Sequence, residues 1–199
     1  MSVMLDIVLS VVIFGMLLLM VSNVNINLIT ENYRGIVELH TQTELIQLAN
    51  ILEFDFNKAG YHVQSVDGTT GERVALADTS HVKFYTDLNN SGAIIPVEYN
   101  ILGFNMSSKN PKDRMLVRIE NTSTVYINYS VTKFKLSYYD TRDSLMSTPV
   151  TGALRDSIRS IKVILMLESP DPFDTTSVNT PAYAHAMYQK LIFPRNLSL

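Results

Sequence analysis

Residues 3–22 of this 199-residue chain read VMLDIVLSVVIFGMLLLMVS. Between Val3 and Val21 the only residues that are not large and apolar are Asp6, Ser10 and Gly15. A helix of about twenty residues, rising about 1.5 Å per residue, spans the roughly 30 Å hydrocarbon core of a bilayer. The stretch therefore predicts an apolar helix of membrane-spanning length near the N-terminal end of the chain.

A cleaved signal peptide is the competing interpretation of this stretch. It needs a basic region before the apolar run and a small-residue cleavage site, such as Ala-x-Ala, after it. No Lys or Arg occurs before Arg34, and the run ends in Ser22-Asn23-Val24-Asn25. We therefore expect the apolar segment to be retained.

The helix is expected to continue beyond the apolar run. Apolar residues recur at steps of three to five residues as far as Phe56, and Gly60 is a suitable stop just after them. We expect one helix from near Leu5 to about Ala59, apolar all round in its first half and amphipathic in its second half. Three asparagines, which are poor helix formers, allow a kink or a melted turn within it: Asn23, Asn25 and Asn27.

After Tyr61 the apolar pattern changes to a period of two, which is typical of half-buried strands. Clusters of Gly, Pro, Asn and Asp separate seven predicted strands: 74–76, 82–85, 94–102, 115–120, 124–135, 157–168 and 188–193. Residues 170–181 are polar and are expected to form a mobile surface loop. The predicted fold is α+β, with the long helix packed on an antiparallel sheet. The predicted divisions are a membrane or filament-core helix (1–30), its amphipathic continuation (31–60) and a soluble β-rich head (61–199).

The composition excludes several classes of function. The chain has 16 Lys and Arg against 19 Asp and Glu, a formal net charge of −3, so nucleic acid is not an expected partner. Cysteine is absent, which excludes disulfides, thiolate zinc sites, iron–sulfur clusters and a cysteine nucleophile. The sequence contains no phosphate-binding loop, nucleophile elbow or paired-carboxylate motif. We therefore predict no enzymatic activity and, apart from the calcium site considered next, no cofactor.

One turn between two predicted strands has the spacing of a calcium-binding loop. Asp87-x-Asn89-x-Ser91-Gly92, with Glu98 further on, fits the EF-hand pattern. An EF-hand needs flanking helices, however, and in a straight strand Glu98 would lie about 20 Å beyond the turn. The favoured interpretation is a polar hairpin turn. The alternative is a reduced calcium site that uses Asp87, Asn89, Ser91 and main-chain carbonyl groups.

The four histidines have no partners at metal-ligand spacing, so surface or packing roles are expected for them: His40, His62, His81 and His185. His40 lies on the apolar stripe of the predicted helix and is expected in the core.

Asp6 is the only charged residue among the first thirty. A carboxylate at the centre of a bilayer helix costs roughly 2.5–3.5 kcal/mol on insertion scales. One interpretation places Asp6 at the membrane interface, where the helix dipole favours a negative charge in the first turn. The other interpretation pairs Asp6 with a positive partner, such as the N-terminal amine of a neighbouring copy.

The combination of Asp6, Gly15 nine residues later, an otherwise apolar segment and an amphipathic extension resembles the N-terminal helix of type IV pilins and pseudopilins. Further stretches resemble W-type minor pilins and J-type pseudopilins: 52–61 (LEFDFNKAGY), 81–85 (HVKFY) with the turn at 87–92, 134–140 (FKLSYYD) and 194–197 (PRNL). The resemblance implies a pilin-like fold.

Two features differ from that family. The family's acidic residue is nearly always Glu, and the shorter Asp6 would require a closer approach to a partner's amine. Family members are also made with a short basic leader ending in Gly, which a dedicated peptidase removes while methylating the new N-terminus. Either such a leader is not part of this sequence or the protein is exported without that processing. If only the initiator Met is lost, Ser2 becomes the first residue and Asp6 the fifth, where the family places its acid.

The resulting functional expectation is a structural subunit of an extracellular, type IV pilus-like helical filament. It would be anchored in the inner membrane before assembly, and its partners would be copies of itself or other pilin-like subunits. Asp6, Gly15 and Ser2 are the expected assembly residues. A low-abundance minor pilin that primes or tips the filament is one alternative. A single-pass membrane-anchored domain that binds a ligand outside the cell is another, and it leaves Asp6 unexplained.

Overall fold

The computed structural model describes residues 2–63, 71–173 and 181–197. Its dominant element is helix α1 (Ser2–Asn57), whose 56 residues correspond to a length of about 84 Å. The single long helix predicted from the sequence is confirmed. It begins three residues before and ends two residues before the predicted bounds, and it runs through the three asparagines without a melted turn.

The helix ends where Gly60 fixes the direction of the chain. Gly60 has a φ of +76°, and an added Cβ would lie 3.1 Å from the main-chain oxygen of Asn196. Its N–H donates to the carbonyl of Tyr85 at 2.9 Å. Because other residues rarely adopt this positive φ and a Cβ would crowd the Asn196 oxygen, glycine is strongly favoured at the point where the helix meets the sheet.

Seven antiparallel strands follow one another in both sequence and space, in the order β1 to β7. Their bounds are β1 (Val74–Ala77), β2 (His81–Thr86), β3 (Ile95–Phe104), β4 (Arg114–Glu120), β5 (Ser123–Tyr139), β6 (Ser160–Glu168) and β7 (His185–Ile192). Each predicted strand corresponds to an observed one. The predicted strand 157–168 starts too early, because a short 3₁₀ helix (Gly152–Ser157) precedes β6. Arg155 ties that helix to the Ala75 carbonyl of β1 and to Glu72, which precedes β1.

The hydrophobic core lies between one face of the sheet and the C-terminal third of α1. Leu48, Leu52 and Phe56 are fully buried there. The ring of Phe56 lies 5.5 Å from that of Phe84 in β2 and 5.8 Å from that of Tyr99 in β3. The helix packs mainly against β7 and β6. The helical period of three to four residues therefore places one stripe in the core and leaves the opposite stripe exposed.

A second contact between helix and head lies further towards the N-terminus. The guanidinium of Arg34 is 5.1 Å from the ring centre of Phe173, in the segment that follows β6. Residues 174–180, which make up most of the predicted loop at 170–181, lie outside the described residues.

Candidate assembly surface

The first half of α1 presents an apolar surface that the head does not cover. From Val3 to Ile29 the large apolar side chains are between 48% and 78% exposed, and none of the membrane-length window is buried. Removing one such side chain from water is worth about 1.5–3 kcal/mol. A surface of this size is unfavourable in water and is stabilised by lipid or by other apolar helices.

The three predicted assembly residues lie on this helix at different angular positions. Ser2 is one turn before Asp6, so these two residues share a face, whereas Gly15 lies about 2.5 turns after Asp6 and therefore on the opposite face. The Ser10 hydroxyl donates to the main-chain carbonyl of Asp6 at 2.8 Å. Within the described ranges, the Asp6 carboxylate has no hydrogen-bond or ion-pair partner. An added Cβ at Gly15 would meet nothing within 4 Å, so nothing in the chain's own packing requires glycine there.

The second half of α1 is held to the sheet by a buried charged cluster that the sequence analysis did not identify. Asp55 is 1% exposed, and its Oδ2 accepts hydrogen bonds from the Tyr99 hydroxyl at 2.5 Å and from Arg118 Nε at 2.7 Å. Arg118 also donates to Glu120 at 2.6 Å. The cluster therefore joins the helix to β3 and β4.

The surroundings of the cluster keep both Tyr99 and Arg118 protonated. Burial, followed by the negative charge of Asp55, raises the pKa of Tyr99 well above its ordinary value, so its hydroxyl remains a donor. Burial alone would lower the pKa of Arg118, but its hydrogen bonds to Asp55 and Glu120 outweigh that effect and raise it. The sequence did contain a signal, because Asp55 lies on the same helical face as Leu48 and Leu52. An acidic residue within an apolar stripe indicates a buried partner.

A second polar contact joins α1 to the edge strand β7. Glu53 accepts hydrogen bonds from the Tyr188 hydroxyl at 2.6 Å and from Lys190 Nζ at 2.5 Å. The hydrogen bond from Lys190, followed by that from Tyr188, lowers the pKa of the Glu53 carboxyl. Together with the Asp55 cluster, this contact fixes the exposed apolar half of the helix relative to the head.

The three candidate calcium ligands lie together in the turn between β2 and β3. The buried Asp87 carboxylate accepts hydrogen bonds from the Ser91 N–H at 3.0 Å and from the Gly92 N–H at 2.9 Å. It also lies 2.9 Å from His62 Nδ1. The Asn89 Oδ1 accepts from the Ser91 N–H at 3.2 Å. These oxygens thus serve as hydrogen-bond acceptors within a hairpin turn. Calcium binding would have to displace those bonds, and the reduced calcium site stays a prediction.

The histidines have different surroundings from one another. His40 is exposed rather than buried, because it lies beside the apolar stripe, with Nδ1 3.4 Å from Glu44. The core position expected for His40 is therefore wrong. His81 in β2 lies 2.7 Å from Glu98 in β3. Glu98, the last position of the calcium-loop pattern, is therefore on the sheet beside His81. Among residues 2–63, 71–173 and 181–197, no three His, Asp or Glu side chains are grouped to hold a metal ion.

A cleft of about 830 Å³ opens between α1 and the sheet. His40 and Glu44 line it from the helix; Asn105 and Asp113 line it from the β3–β4 connection, and Asn128 lines it from β5. Asp113 is fully buried at the cleft and accepts from the Asn105 amide at 3.2 Å. Burial raises the pKa of both Glu44 and Asp113.

The fold is similar to that of a type IV-like pilin from Thermus thermophilus, with a TM-score of 0.52 and 13% sequence identity. The alignment covers 79% of this chain and 96% of that protein. The sequence matches no protein-family model and no curated protein. At this identity the similarity establishes the fold alone. The chain therefore has a pilin-like α+β fold, as the sequence resemblance implied.

Proposed function

We propose that the protein is a structural subunit of an extracellular, type IV pilus-like helical filament, assembled through the first half of α1. The observation that carries the proposal is the exposed apolar half-helix, joined firmly to a folded head. The pilin-like fold supports it, because a type IV-like pilin has a similar fold. The subunit would be held in the inner membrane and then incorporated into a filament at the cell surface.

The proposal has an energetic requirement. Moving an apolar helix from lipid into a bundle of similar helices exchanges one apolar environment for another, so the hydrophobic effect contributes little. Packing and specific polar pairs must then favour the filament. A neighbouring subunit would use two features of this helix: the Asp6 carboxylate, which has no partner among the residues that the structure describes, and the open surface at Gly15.

Asp6 would pair with the N-terminal amine of a neighbouring subunit. A buried unpaired carboxylate is costly, so each incorporated subunit would have to dock against a partner. Repetition of one head-to-tail contact that does not close on itself generates a helical filament. Copies of this chain, or other pilin-like subunits with the same helix, would serve as partners.

The decisive experiment is electron microscopy of material sheared from the cell surface, with mass spectrometry to identify the chain and its first residue. Uniform filaments rich in this protein would establish it as a major subunit, and traces among other pilins would establish a minor, priming role. Recovery only from detergent-extracted membranes would exclude the filament.

The second candidate function is an anchored extracellular domain that binds a ligand, and the cleft between α1 and the sheet is the observation that favours it. In that case the protein would be monomeric, and detergent rather than shear would release it. The cleft would then have to bind a small molecule without any filament being formed.

A further inference from the structure

The position of the long helix in a bilayer determines how far the head lies from the lipid. Asp6 and Glu31 are the first two charged side chains of the chain, and residues 7–30 between them carry no charge. As part of α1 this segment is about 36 Å long, enough to cross the roughly 30 Å hydrocarbon core. Because a charge is costly inside that core, we expect Asp6 at one interface and Glu31 at the other. The helical turn that follows Glu31 then lies among the lipid headgroups.

Strand β3 runs beside α1 in the opposite direction and extends the head towards this level. The Tyr99 hydroxyl lies 2.5 Å from the Asp55 carboxylate near the end of the helix, whereas Asn105 lines the cleft together with His40. The chain from Tyr99 to Asn105 spans about 20 Å as a strand, which matches the helical rise from Asp55 back to His40. The β3–β4 connection (105–113) is therefore at the end of the head that faces the bilayer.

Contacts of this connection reach the part of α1 just beyond the uncharged segment. Lys109 is within electrostatic range of the Tyr33 side chain. The Ser108 hydroxyl donates to the Pro170 carbonyl at 3.3 Å, and Pro170 lines a depression together with Tyr33. Tyr33 follows Glu31 by two residues and is 48% exposed, so its ring is placed in the headgroup layer, where Tyr is favoured. The connection thus approaches the level of the headgroups.

Apolar side chains that the head does not cover lie at this end. Met106 is 97% exposed, more than any other large apolar side chain that the structure describes, and Phe104 is 59% exposed. The Arg114 guanidinium lies 4.0 Å from the centre of the Phe104 ring. Exposed apolar groups so close together are unfavourable in water, and they are stabilised where they can enter the boundary between headgroups and acyl chains.

The lysines of the connection are paired with acidic residues of the head. Lys109 Nζ lies 2.8 Å from Asp171, and Lys112 Nζ lies 3.6 Å from Glu168. Both lysine side chains are mostly exposed, so their ammonium groups can stay among the headgroups while apolar neighbours enter more deeply. Since the charges largely compensate one another, a contact with lipid at this end would depend on apolar insertion and only weakly on salt.

We propose that the β3–β4 connection inserts Met106 and Phe104 into the headgroup region of the bilayer that α1 spans, so that the head rests on the lipid surface before assembly. The inference rests on the membrane stage of the proposed function and adds a second membrane contact to that of the helix. Two points of contact restrict rotation of the head about the helix axis. Unassembled subunits would therefore all present the same side to a growing filament.

Tryptophan fluorescence tests the contact, because the chain has no natural Trp. Full-length Met106→Trp is reconstituted into vesicles of phosphatidylethanolamine and phosphatidylglycerol, with or without bromine on the acyl chains. We expect its emission to be blue-shifted and to be quenched by the brominated lipid. Leu154→Trp is the matched control, at a 60% exposed site in the 3₁₀ helix, and should show neither effect. That helix contacts Glu72, and the adjacent Arg73 lies against Gly60, beyond the end of α1.

Cysteine labelling provides a second measurement, because an indole itself favours the membrane interface. The chain has no natural cysteine. In the same vesicles Met106→Cys should react with a charged maleimide about tenfold more slowly than Leu154→Cys, since burial of the neighbouring apolar groups keeps the loop in lipid. The final extent of Leu154→Cys labelling gives the fraction of outward-facing heads. Adding Phe104→Asp, which places a charge in the loop, should raise the labelling rate of Met106→Cys to that of the control.

The outcomes distinguish this contact from the proposed function itself. Quenching of Met106→Trp together with slow labelling of Met106→Cys supports the contact. Emission and labelling equal to those of the Leu154 variants overturn it and leave the filament proposal intact, and quenching without slow labelling also overturns it, because the indole alone would then draw the loop into lipid. Failure of the full chain to float with the vesicles overturns the contact and the membrane stage together. Absence of shear-released filaments from cells, with the loop inserted in vesicles, overturns the filament alone.

Discussion

Asp55 joins the long helix to the sheet through buried polar contacts. It is a nearly fully buried carboxylate on the core face of α1, bonded to Tyr99 and Arg118 from two different strands. Such a cluster adds little net stability compared with a well-packed apolar one. Removing only one of its charged partners is costly, however, because the other charge is then buried without a partner. We expect the cluster to favour this register of helix on sheet, because any other register would leave its buried charges unpaired.

Asp55→Ala should lower the free energy of unfolding by about 3 kcal/mol, because it leaves Arg118 buried without its main partner. Chemical unfolding of the full chain in detergent, followed by near-ultraviolet circular dichroism of its tyrosines, measures the change. Arg159→Ala removes an exposed arginine with no contact to the cluster and serves as the control. An equal effect of the two substitutions would contradict the role assigned to Asp55.

Glu53 gives the stability a pH dependence of known sign. Its pKa is lowered in the folded state by Lys190 and then by Tyr188. The stabilisation is therefore fully present above the ordinary carboxyl pKa of about 4.3 and is lost as the pH falls through the lowered folded value. The free energy of unfolding of the full chain in detergent should fall less between pH 6 and pH 3 for Glu53→Gln than for the wild type. Identical pH slopes would show that the contact with Lys190 contributes nothing.

At the scale of elements, the sequence predicted the helix and all seven strands because their periodicities are strong and local. The meander topology helps, since each strand pairs with its sequence neighbour. The missed features depend on tertiary contacts. His40 is exposed because it lies beside the helical stripe that the sheet covers, and local periodicity did not separate the two positions. The partners of Asp55 lie 44 and 63 residues away in the chain, so no local pattern could identify them.

Hydrogen bonds within the turn between β2 and β3 determine its geometry. We expect Asp87→Ala to lower the melting temperature of the full chain, because the N–H groups of Ser91 and Gly92 lose their acceptor. Millimolar calcium should leave the wild-type melting temperature unchanged. Asn90→Gly, which relieves a positive φ of 58° in the same turn, provides a control that should not destabilise. A calcium-induced rise that disappears in Asp87→Ala would instead establish the reduced calcium site.

At the scale of the whole molecule, the proposed filament function assigns assembly to the apolar half-helix, and substitution of Asp6 tests that assignment without changing the head. Asp6→Ala should reduce the yield of sheared filaments strongly while membrane insertion and folding of the head remain normal. Asp6→Glu keeps the charge and should keep most of the yield. Quantitative immunoblotting of the sheared and membrane fractions measures both. Wild-type yield from Asp6→Ala would remove Asp6 from assembly.

The strand order also has a consequence for biosynthesis. The helix packs mainly on β7 and β6, which are the last two strands in chain order. A ribosome therefore makes α1 well before it makes the strands that α1 packs against. The C-terminal third of α1 can take its place on the sheet only after β6 and β7 have been synthesised, so the helix is the earliest element to be made and among the last to be packed.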